Sequence, residues 1–84
     1  MSWKEIIDEK TRAEALAKDF KFKDFISAWA FMNKVALLAE KADHHPDWSN
    51  SYNKVSISLS THSAGDKITS KDRELAGQID ALSQ

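Results

Sequence analysis

Hydrophobic and polar positions alternate with different periods along the chain, and the changes of period mark the predicted elements. From Leu16 to Phe22 apolar and charged residues alternate, which predicts a half-buried strand. Residues 1–14 fit either a short strand or an amphipathic helix, because their apolar residues are few and their Glu, Lys and Ala residues favour helices.

Residues 24–42 repeat with the period of a helix and contain neither Gly nor Pro. Their apolar side chains cover about half of the helix circumference, which is wide enough to bury against a sheet. The arc expected to be buried comprises Phe25, Ala28, Trp29, Phe31, Met32, Val35, Ala36, Leu38, Ala39 and Ala42. A second stripe, formed by Ile26, Ala30 and Leu37, lies apart from this arc. It either meets another subunit or is an ordinary case of exposed apolar residues.

The segment after this helix is predicted to form a loop and then a strand. Pro46 disfavours helical geometry in the residue before it, so residues 43–51 are predicted to be a loop. Residues 52–62 alternate between apolar and polar positions and predict a strand with one buried and one polar face.

A turn at residues 64–66 is predicted to lead into the last helix. Thr69, with Asp72 three residues later, matches a capping box and marks the start of that helix. Its expected buried positions are Leu75, Ala76, Ile79 and Leu82. The order of strands and helices predicts one α+β domain over residues 1–84, with helices on one face of a small antiparallel sheet.

Composition and charge exclude several classes of protein. The 84 residues make one small domain with a marginal core. The absence of cysteine excludes disulfides and thiolate chemistry, and it is compatible with a cytoplasmic location. A net charge of −1 gives no indication of nucleic-acid binding. No apolar run is long enough to span a membrane, and the N-terminus lacks a signal-peptide pattern.

All three histidines lie in one region of the sequence, close to several carboxylates. His44 and His45 precede Pro46, and in an extended segment their side chains point in roughly opposite directions, so they can line two sides of a pocket. His62 has the parity of the polar face of the predicted strand. Because histidine titrates near neutral pH, we expect the acid–base chemistry of the chain in this region.

Each of these residues also has an ordinary structural interpretation. Glu40 suits a solvated charge at the helix end as well as a carboxylate that tunes an imidazole, and Asp72 suits the helix cap. The histidines are chemically suitable metal ligands, but their spacing matches no zinc pattern, so a metal site is not predicted. The chain shows neither a nucleophile elbow nor a Gly-rich phosphate loop.

Taken in order, these residues resemble the pterin-4a-carbinolamine dehydratase family. The resemblance rests on Glu40, His44-His45-Pro46, Tyr52, His62 and Asp72, and on the segments FKFKDF, AEKADHHPDW, YNKV and LSTH. It extends from about Trp3 to Asp80. Any one of these motifs is weak, whereas the ordered set is highly specific.

The resemblance implies four antiparallel strands with helices packed on one face. It also implies homodimers that join their sheets edge to edge and homotetramers built through the central helix, which would cover the stripe of Ile26, Ala30 and Leu37. Two departures affect this expectation. The helix that usually precedes the position of Trp3 in the family is missing here, and the segment before Asp72 is about one residue longer than in some relatives.

The resemblance further implies a reaction, the dehydration of 4a-hydroxytetrahydropterin to quinonoid dihydropterin during tetrahydropterin recycling, without a metal or organic cofactor. His44 and His62 would carry the proton transfers, and His45 would mainly bind and orient the ring. The residues carried over are His44, His45 and His62 as catalytic, Glu40 and Asp72 as supporting, and His45 and Trp48 as substrate-binding.

The alternative function is that of a non-catalytic interaction protein on the same fold. Some relatives bind and stabilise a homeodomain transcription factor through the central-helix surface, and that role would use the stripe rather than the histidines. An intact histidine set favours the enzyme, because an adaptor has no physical need for it. A third possibility is a pocket that serves a different pterin or another ring compound.

Overall fold

A computed structural model describes residues 2–83 as a four-stranded antiparallel sheet with two α-helices. The strands are β1 (Lys4–Ile7), β2 (Glu14–Lys21), β3 (Asp47–Ser51) and β4 (Lys54–Leu59), in the order β1-β2-β4-β3. The helices are α1 (Phe25–Ala42), α2 (Ser70–Leu82) and a short 3₁₀-helix (His62–Ala64). The α+β prediction is confirmed. Met1 and Gln84, the two ends of the expected domain, lie outside the described residues.

The chain begins with a β-hairpin, which decides between the two alternatives for residues 1–14. β1 pairs with β2, and Ile6 lies opposite Ala15. The turn between them is held by the Asp8 carboxylate, which accepts hydrogen bonds from the backbone N–H groups of Lys10 and Thr11 at 2.8 and 3.0 Å. Because β1 pairs with the first residues of β2, that strand begins two residues earlier than the alternation predicted.

Both helices cover the same face of the sheet. Alternate side chains of β2 and β4 meet the inner sides of α1 and α2 in a common core, whose burial is the main source of stability. The buried core residues are Leu16, Phe20, Ala28, Phe31, Val35, Val55, Ile57, Leu59, Leu75, Ala76 and Ile79. The predicted alternation in β4 and the buried face of α2 are confirmed, although Leu82 at the helix end is only half-buried.

Helix α1 begins one residue later than predicted, after the N-cap Asp24, and its buried face is narrower than predicted. Ala28, Phe31, Val35 and Ala39 are buried, and Met32 and Leu38 are half-buried. The prediction was wrong for Phe25, Trp29, Ala36 and Ala42, which are exposed. The sheet is small and α2 covers part of it, so only a narrow side of α1 contacts the core. Within residues 2–83 neither helix is long and apolar enough to cross a membrane.

The loop predicted over residues 43–51 is wrong in its second half, because Asp47–Ser51 form strand β3. This segment consists mostly of Asp, Ser and Asn, which favour turns. Pairing with β4 overrides that preference: Trp48 lies opposite Ile57 and packs against the core. The other residues of this edge strand have no apolar face to bury, so the alternation of apolar and polar residues did not indicate a strand here.

The strand predicted over residues 52–62 is shorter than expected at both ends. Tyr52 and Asn53 form the turn between β3 and β4, and Tyr52 has a left-handed φ of 51°. His62 begins the 3₁₀-helix, so its predicted place on the polar face of a strand is wrong. Gly65 follows with a φ of 76°, which confirms the turn predicted at residues 64–66.

Candidate active site

One shallow cavity brings the three histidines together at the end of the sheet. His44 and His45 come from the loop between α1 and β3, and His62 comes from the segment after β4. The cavity has a volume of about 330 Å³ and is lined by Asp43, His44, His45, Pro46, Asp47, Thr61, His62, Ser63 and Lys71. The three histidines, which come from two separate segments of the sequence, are therefore adjacent in space.

Chemistry rather than size distinguishes this cavity. A hollow on the open face of the sheet also has a volume of about 330 Å³, but Ala17, Ser49 and Ser56 are typical of its lining and it contains no histidine. A third hollow, of about 380 Å³, shares His62 but contains neither of the other two histidines. We therefore take the cavity with three imidazoles as the candidate active site.

His44 reaches its position because the chain turns sharply at the end of α1. Asp43 has a left-handed φ of 51°, and the His44 backbone N–H donates to the Ala39 carbonyl at 3.0 Å. His44, His45 and Pro46 are not helical, in agreement with the prediction that Pro46 disfavours helical geometry in the residue before it. The loop therefore leaves the helix directly towards the N-terminus of α2.

His44 is held by the buried carboxylate of Asp72. The His44 Nε2 and Asp72 Oδ1 atoms are 2.5 Å apart, and Asp72 is fully buried. Burial alone would raise the pKa of Asp72, but hydrogen bonds from the Thr69 backbone, His44 and Thr61 outweigh it and hold the pKa below its ordinary value. Since an ionised carboxylate only accepts hydrogen bonds, His44 carries a proton on Nε2 and leaves Nδ1 for other partners.

Two threonines complete this network, and sequence reasoning gave neither of them a place in the site. The Thr61 hydroxyl donates to Asp72 Oδ2 at 2.7 Å and lies 2.6 Å from the Thr69 hydroxyl. Asp72 Oδ2 also accepts from the Thr69 backbone N–H at 2.8 Å, which completes the predicted capping box. The parity of β4 could have indicated Thr61, because it continues the buried positions of that strand and a buried hydroxyl needs a partner.

His45 contacts a different carboxylate from His44, as expected for neighbours in an extended segment. Its Nε2 atom lies 2.8 Å from Glu40 Oε1, in the last turn of α1. Both side chains are largely exposed, with relative accessibilities of 57% and 81%. His45 therefore lies at the open side of the cavity and His44 at its closed side, whereas Glu40 contacts His45 from outside the cavity lining.

His62 pairs with a carboxylate that the sequence pattern did not indicate. Its Nδ1 atom lies 2.6 Å from Asp66 Oδ1. The hydrogen bond to Asp66, together with the charges of Asp66, Asp47 and Asp72, raises the pKa of His62 above its ordinary value. Within residues 2–83, each of the three imidazoles thus has one carboxylate partner.

Trp48 does not line the cavity of the histidines. It is half-buried in β3 and borders the hollow on the open face of the sheet. Tyr52 is exposed in the β3–β4 turn. In the part of the chain that the structure describes, no three His, Cys, Asp or Glu residues are arranged to hold a metal ion.

Comparison with known proteins identifies the family of this chain. The family model of the pterin 4 alpha carbinolamine dehydratases matches residues 1–82. The chain belongs to this family. A provisionally named pterin-4-alpha-carbinolamine dehydratase of Prochlorococcus marinus (strain NATL2A) is 58% identical over 81 residues, which are 96% of this chain and 78% of the relative. One from Rhodospirillum rubrum is 56% identical over 68 residues, which are 81% of this chain and 70% of the relative.

Two solved structures of this family fold are also similar. The first is described as a transcriptional coactivator/pterin dehydratase from Brucella melitensis; it has 41% identity and a TM-score of 0.87 over 99% of this chain and 83% of its own. The second is described as a pterin dehydratase-like protein and RuBisCO assembly factor of the α-carboxysome; it has 26% identity and a TM-score of 0.82 over 99% of this chain and 90% of its own. Because the fold occurs under such different descriptions, the choice between enzyme and interaction protein depends on the site.

Proposed function

We propose that the protein is a pterin-4a-carbinolamine dehydratase, which removes water from 4a-hydroxytetrahydropterin to give quinonoid dihydropterin. The observation that carries the proposal is the single cavity lined by His44, His45 and His62, each paired with a carboxylate. Family membership supports the pterin as the substrate class. The proposal requires neither a metal nor an organic cofactor.

The reaction needs one proton donor and one proton acceptor. The bond between C4a and the hydroxyl oxygen breaks, and the oxygen receives a proton and leaves as water. The ring nitrogen beside C4a loses its proton, and the electrons of that N–H bond form the new C=N double bond. One imidazole of the protein ends protonated and another ends neutral, and exchange with solvent restores both.

The surroundings of the three imidazoles support different roles. His44 is fixed by the buried Asp72 network, and His62 is fixed by Asp66, so each presents one uncommitted ring nitrogen. We assign the two proton transfers to this pair. His45, at the open side of the cavity, binds and orients the ring, and Glu40 and Asp72 support the histidines that they contact.

An absorbance assay tests the proposal. 4a-Hydroxytetrahydropterin is generated in situ, and formation of quinonoid dihydropterin is followed with and without the protein, in the presence and absence of a chelator. We expect acceleration that the chelator leaves unchanged. Replacement of His62 by Ala should lower turnover by about 100-fold or more, the usual contribution of a general acid or base.

The matched control is Lys34→Ala, which truncates an exposed residue of α1 that lines none of the hollows containing a histidine. This variant should keep wild-type turnover, and circular dichroism should show that both variants are folded. Full activity of the His62→Ala variant would contradict the assigned roles, and a folded wild-type protein without acceleration would contradict the dehydratase itself.

The alternative, a non-catalytic interaction protein, has an observation of its own. The outer side of α1 exposes Phe25, Ile26, Trp29 and Leu37 with relative accessibilities of 43%, 71%, 50% and 74%. We propose that this outer α1 face, which includes the predicted stripe, forms contacts in a homo-oligomer, and that a partner protein could use the same face. The edge strands β1 and β3 are open to a second sheet within residues 2–83. A cytoplasmic location remains part of the proposal.

A further inference from the structure

We propose that Asp66 is a positioning residue for His62, whose Nδ1–H it binds so that only Nε2 can exchange a proton with the substrate. The inference rests on the proposed function. It assigns His62 the role of proton donor to the departing hydroxyl. It concerns a residue outside the set of Glu40, His44, His45 and Asp72 that the family resemblance indicated.

The contact between the two side chains is short and well directed. His62 Nδ1 and Asp66 Oδ1 are 2.6 Å apart, and the two residues are four positions apart in the chain. At neutral pH a carboxylate accepts hydrogen bonds, so the hydrogen of this bond belongs to the imidazole. Within residues 2–83 the Nε2 atom of His62 has no hydrogen-bond partner. It is therefore the ring nitrogen left for the substrate.

An exposed ion pair between two mobile side chains contributes little to stability. Here, however, the backbone fixes the position of Asp66 relative to His62. Gly65 and Asp66 have consecutive left-handed φ values of 76° and 59°, which return the chain towards His62. The Gly65 N–H donates to the His62 carbonyl at 3.0 Å. The Asp66 carbonyl accepts from the backbone N–H of Glu14 at 2.7 Å, which ties this turn to β2.

The two ends of this loop are also joined by a backbone hydrogen bond. The Thr61 N–H donates to the Lys67 carbonyl at 2.9 Å, so the residues on either side of the His62–Asp66 segment are paired. Asp66 therefore has little freedom to move away from the imidazole. A carboxylate held in this way fixes both the tautomer and the orientation of the ring, as in other sites where an acid orients a histidine.

Other charged groups face His62 from each neighbouring element. Asp47 lies on β3, and Lys71 and Asp72 lie on α2. The α1–β3 loop contributes Asp43, His44 and His45, and the N-terminal hairpin contributes Asp8 and Glu14. Most of these groups are acidic and favour the imidazolium, and Lys71 opposes them. Asp66 alone accepts a hydrogen bond from the ring, so its removal should have the largest effect.

The proton transfer follows from this arrangement. The protonated His62 gives the Nε2 proton to the hydroxyl oxygen as the C4a–O bond breaks, and water leaves. The other proton stays on His62 Nδ1, where it is hydrogen-bonded to Asp66, and the Asp66 carboxylate stays ionised throughout. His62 therefore ends neutral and takes its next proton from solvent. The pKa of His62 is raised first by the Asp66 hydrogen bond and then by the nearby charges, which increases the share of the protonated donor form.

Two variants distinguish the effect of the Asp66 charge from the effect of the whole Asp66 side chain. Asp66→Asn removes the charge but keeps an oxygen that can accept from Nδ1–H, and Asn tolerates the left-handed backbone. Asp66→Gly removes the whole side chain and also suits that backbone. Asp19→Asn, on the open face of β2, removes the same charge from an exposed position outside both hollows that contain His62.

The first readout needs no substrate. Nitrogen NMR of the imidazoles should show wild-type His62 in the Nδ1–H form and with a raised pKa. Asp66→Asn should lower this pKa and keep the tautomer, whereas Asp66→Gly should lower the pKa and release the tautomer. Asp19→Asn should change neither. Unchanged His62 titration and tautomer in both Asp66 variants would overturn the proposal.

The second readout is turnover as a function of pH. Because the donor must be protonated, activity falls as the pH rises through the pKa of His62, and Asp66→Asn should move this fall to lower pH. We expect about a tenfold loss above neutral pH, part of the contribution of a general acid, and a smaller loss below it. An equal loss at every pH would indicate a merely structural role and overturn the proposal. If the wild-type protein shows no turnover, the dehydratase proposal and the donor role fail, and the NMR titration alone decides whether Asp66 fixes the ring.

Discussion

At the scale of single residues, the site consists of three imidazoles that differ in how firmly a carboxylate holds them. Asp72 is buried and has several donors, whereas Glu40 and Asp66 are exposed and each meets one histidine. Since a carboxylate accepts and never donates at neutral pH, each pair specifies which ring nitrogen is protonated. The assignment of chemical roles therefore depends on the carboxylates as much as on the histidines.

Replacement of Asp72 by Asn tests this dependence. The amide can offer its oxygen to Thr61 and the Thr69 backbone, and it then presents its NH₂ group to His44 Nε2. His44 would have to accept at Nε2 and carry its proton on Nδ1, which is the wrong tautomer. We expect a folded protein whose turnover is about 10²–10⁴-fold lower, measured with the dehydratase assay. Wild-type turnover would contradict a role for His44 in proton transfer.

Asp72 also makes stability depend on pH in a defined direction. Its pKa in the folded protein lies below the ordinary value of 3.8, so the unfolded chain binds a proton first as the pH falls. The stabilisation is complete well above 3.8 and is lost as the pH decreases through the lowered pKa. Urea unfolding at several pH values should show a stability difference between the wild-type protein and Asp72→Asn that shrinks on acidification. A constant difference would indicate that the carboxylate charge contributes nothing.

At the scale of elements, the sequence predicted the helices and strands in which apolar residues recur with a regular period. Helices α1 and α2 and the centre of β4 follow from alternation and capping, because their buried side chains are supplied locally. Strand β3 could not be predicted, since Trp48 is its one large apolar residue and the pairing partner lies in another segment. The exposure of Phe25 and Trp29 likewise depends on where α2 lies. The pairing of His62 with Asp66 depends on two consecutive residues with left-handed φ in a turn. Hydrophobic periodicity gives no information about such a turn.

Thr61 connects two elements, the end of β4 and the beginning of α2, and this connection can be measured. Thr61→Val keeps the shape but removes the hydroxyl that contacts Asp72 and Thr69. Because Thr61 is only 5% exposed, we expect the free energy of unfolding to fall by about 1–3 kcal/mol. Thr61→Ser keeps the hydroxyl and should lose less. A smaller loss for Thr61→Val than for Thr61→Ser in urea unfolding would indicate that the methyl group, which Val keeps and Ser lacks, stabilises this connection more than the hydrogen bonds do.

At the scale of the whole molecule, a small domain leaves a considerable apolar surface uncovered. A chain of this size buries only about 60% of the surface of its unfolded state, and the outer α1 face exposes four large apolar side chains. Such a face typically marks an interaction surface. The candidate site, by contrast, uses none of these residues, since its lining comes from the α1–β3 loop, the start of β3, the segment after β4 and the N-terminal part of α2. The proposed assembly surface and the candidate site therefore use different residues.

This separation yields a prediction that tests the outer α1 face as an oligomer interface. Leu37→Glu places a charge in the outer α1 face and should dissociate the proposed oligomer, as measured by analytical ultracentrifugation. Lys34→Glu, at another exposed position of the same helix that is not one of the apolar residues of this face, should leave the assembly unchanged. An unchanged sedimentation profile for Leu37→Glu would exclude this face as the interface.

Turnover of the dissociated variant then shows whether the site is complete in one chain. The three histidines and their carboxylates all come from a single chain, and none of them belongs to the outer α1 face. We therefore expect Leu37→Glu to retain turnover per chain within about twofold at temperatures where it remains folded, because no general acid or base is removed. A folded, dissociated variant that has lost turnover would show that a neighbouring subunit completes the cavity. In that case the outer α1 face would serve the chemistry as well as the assembly.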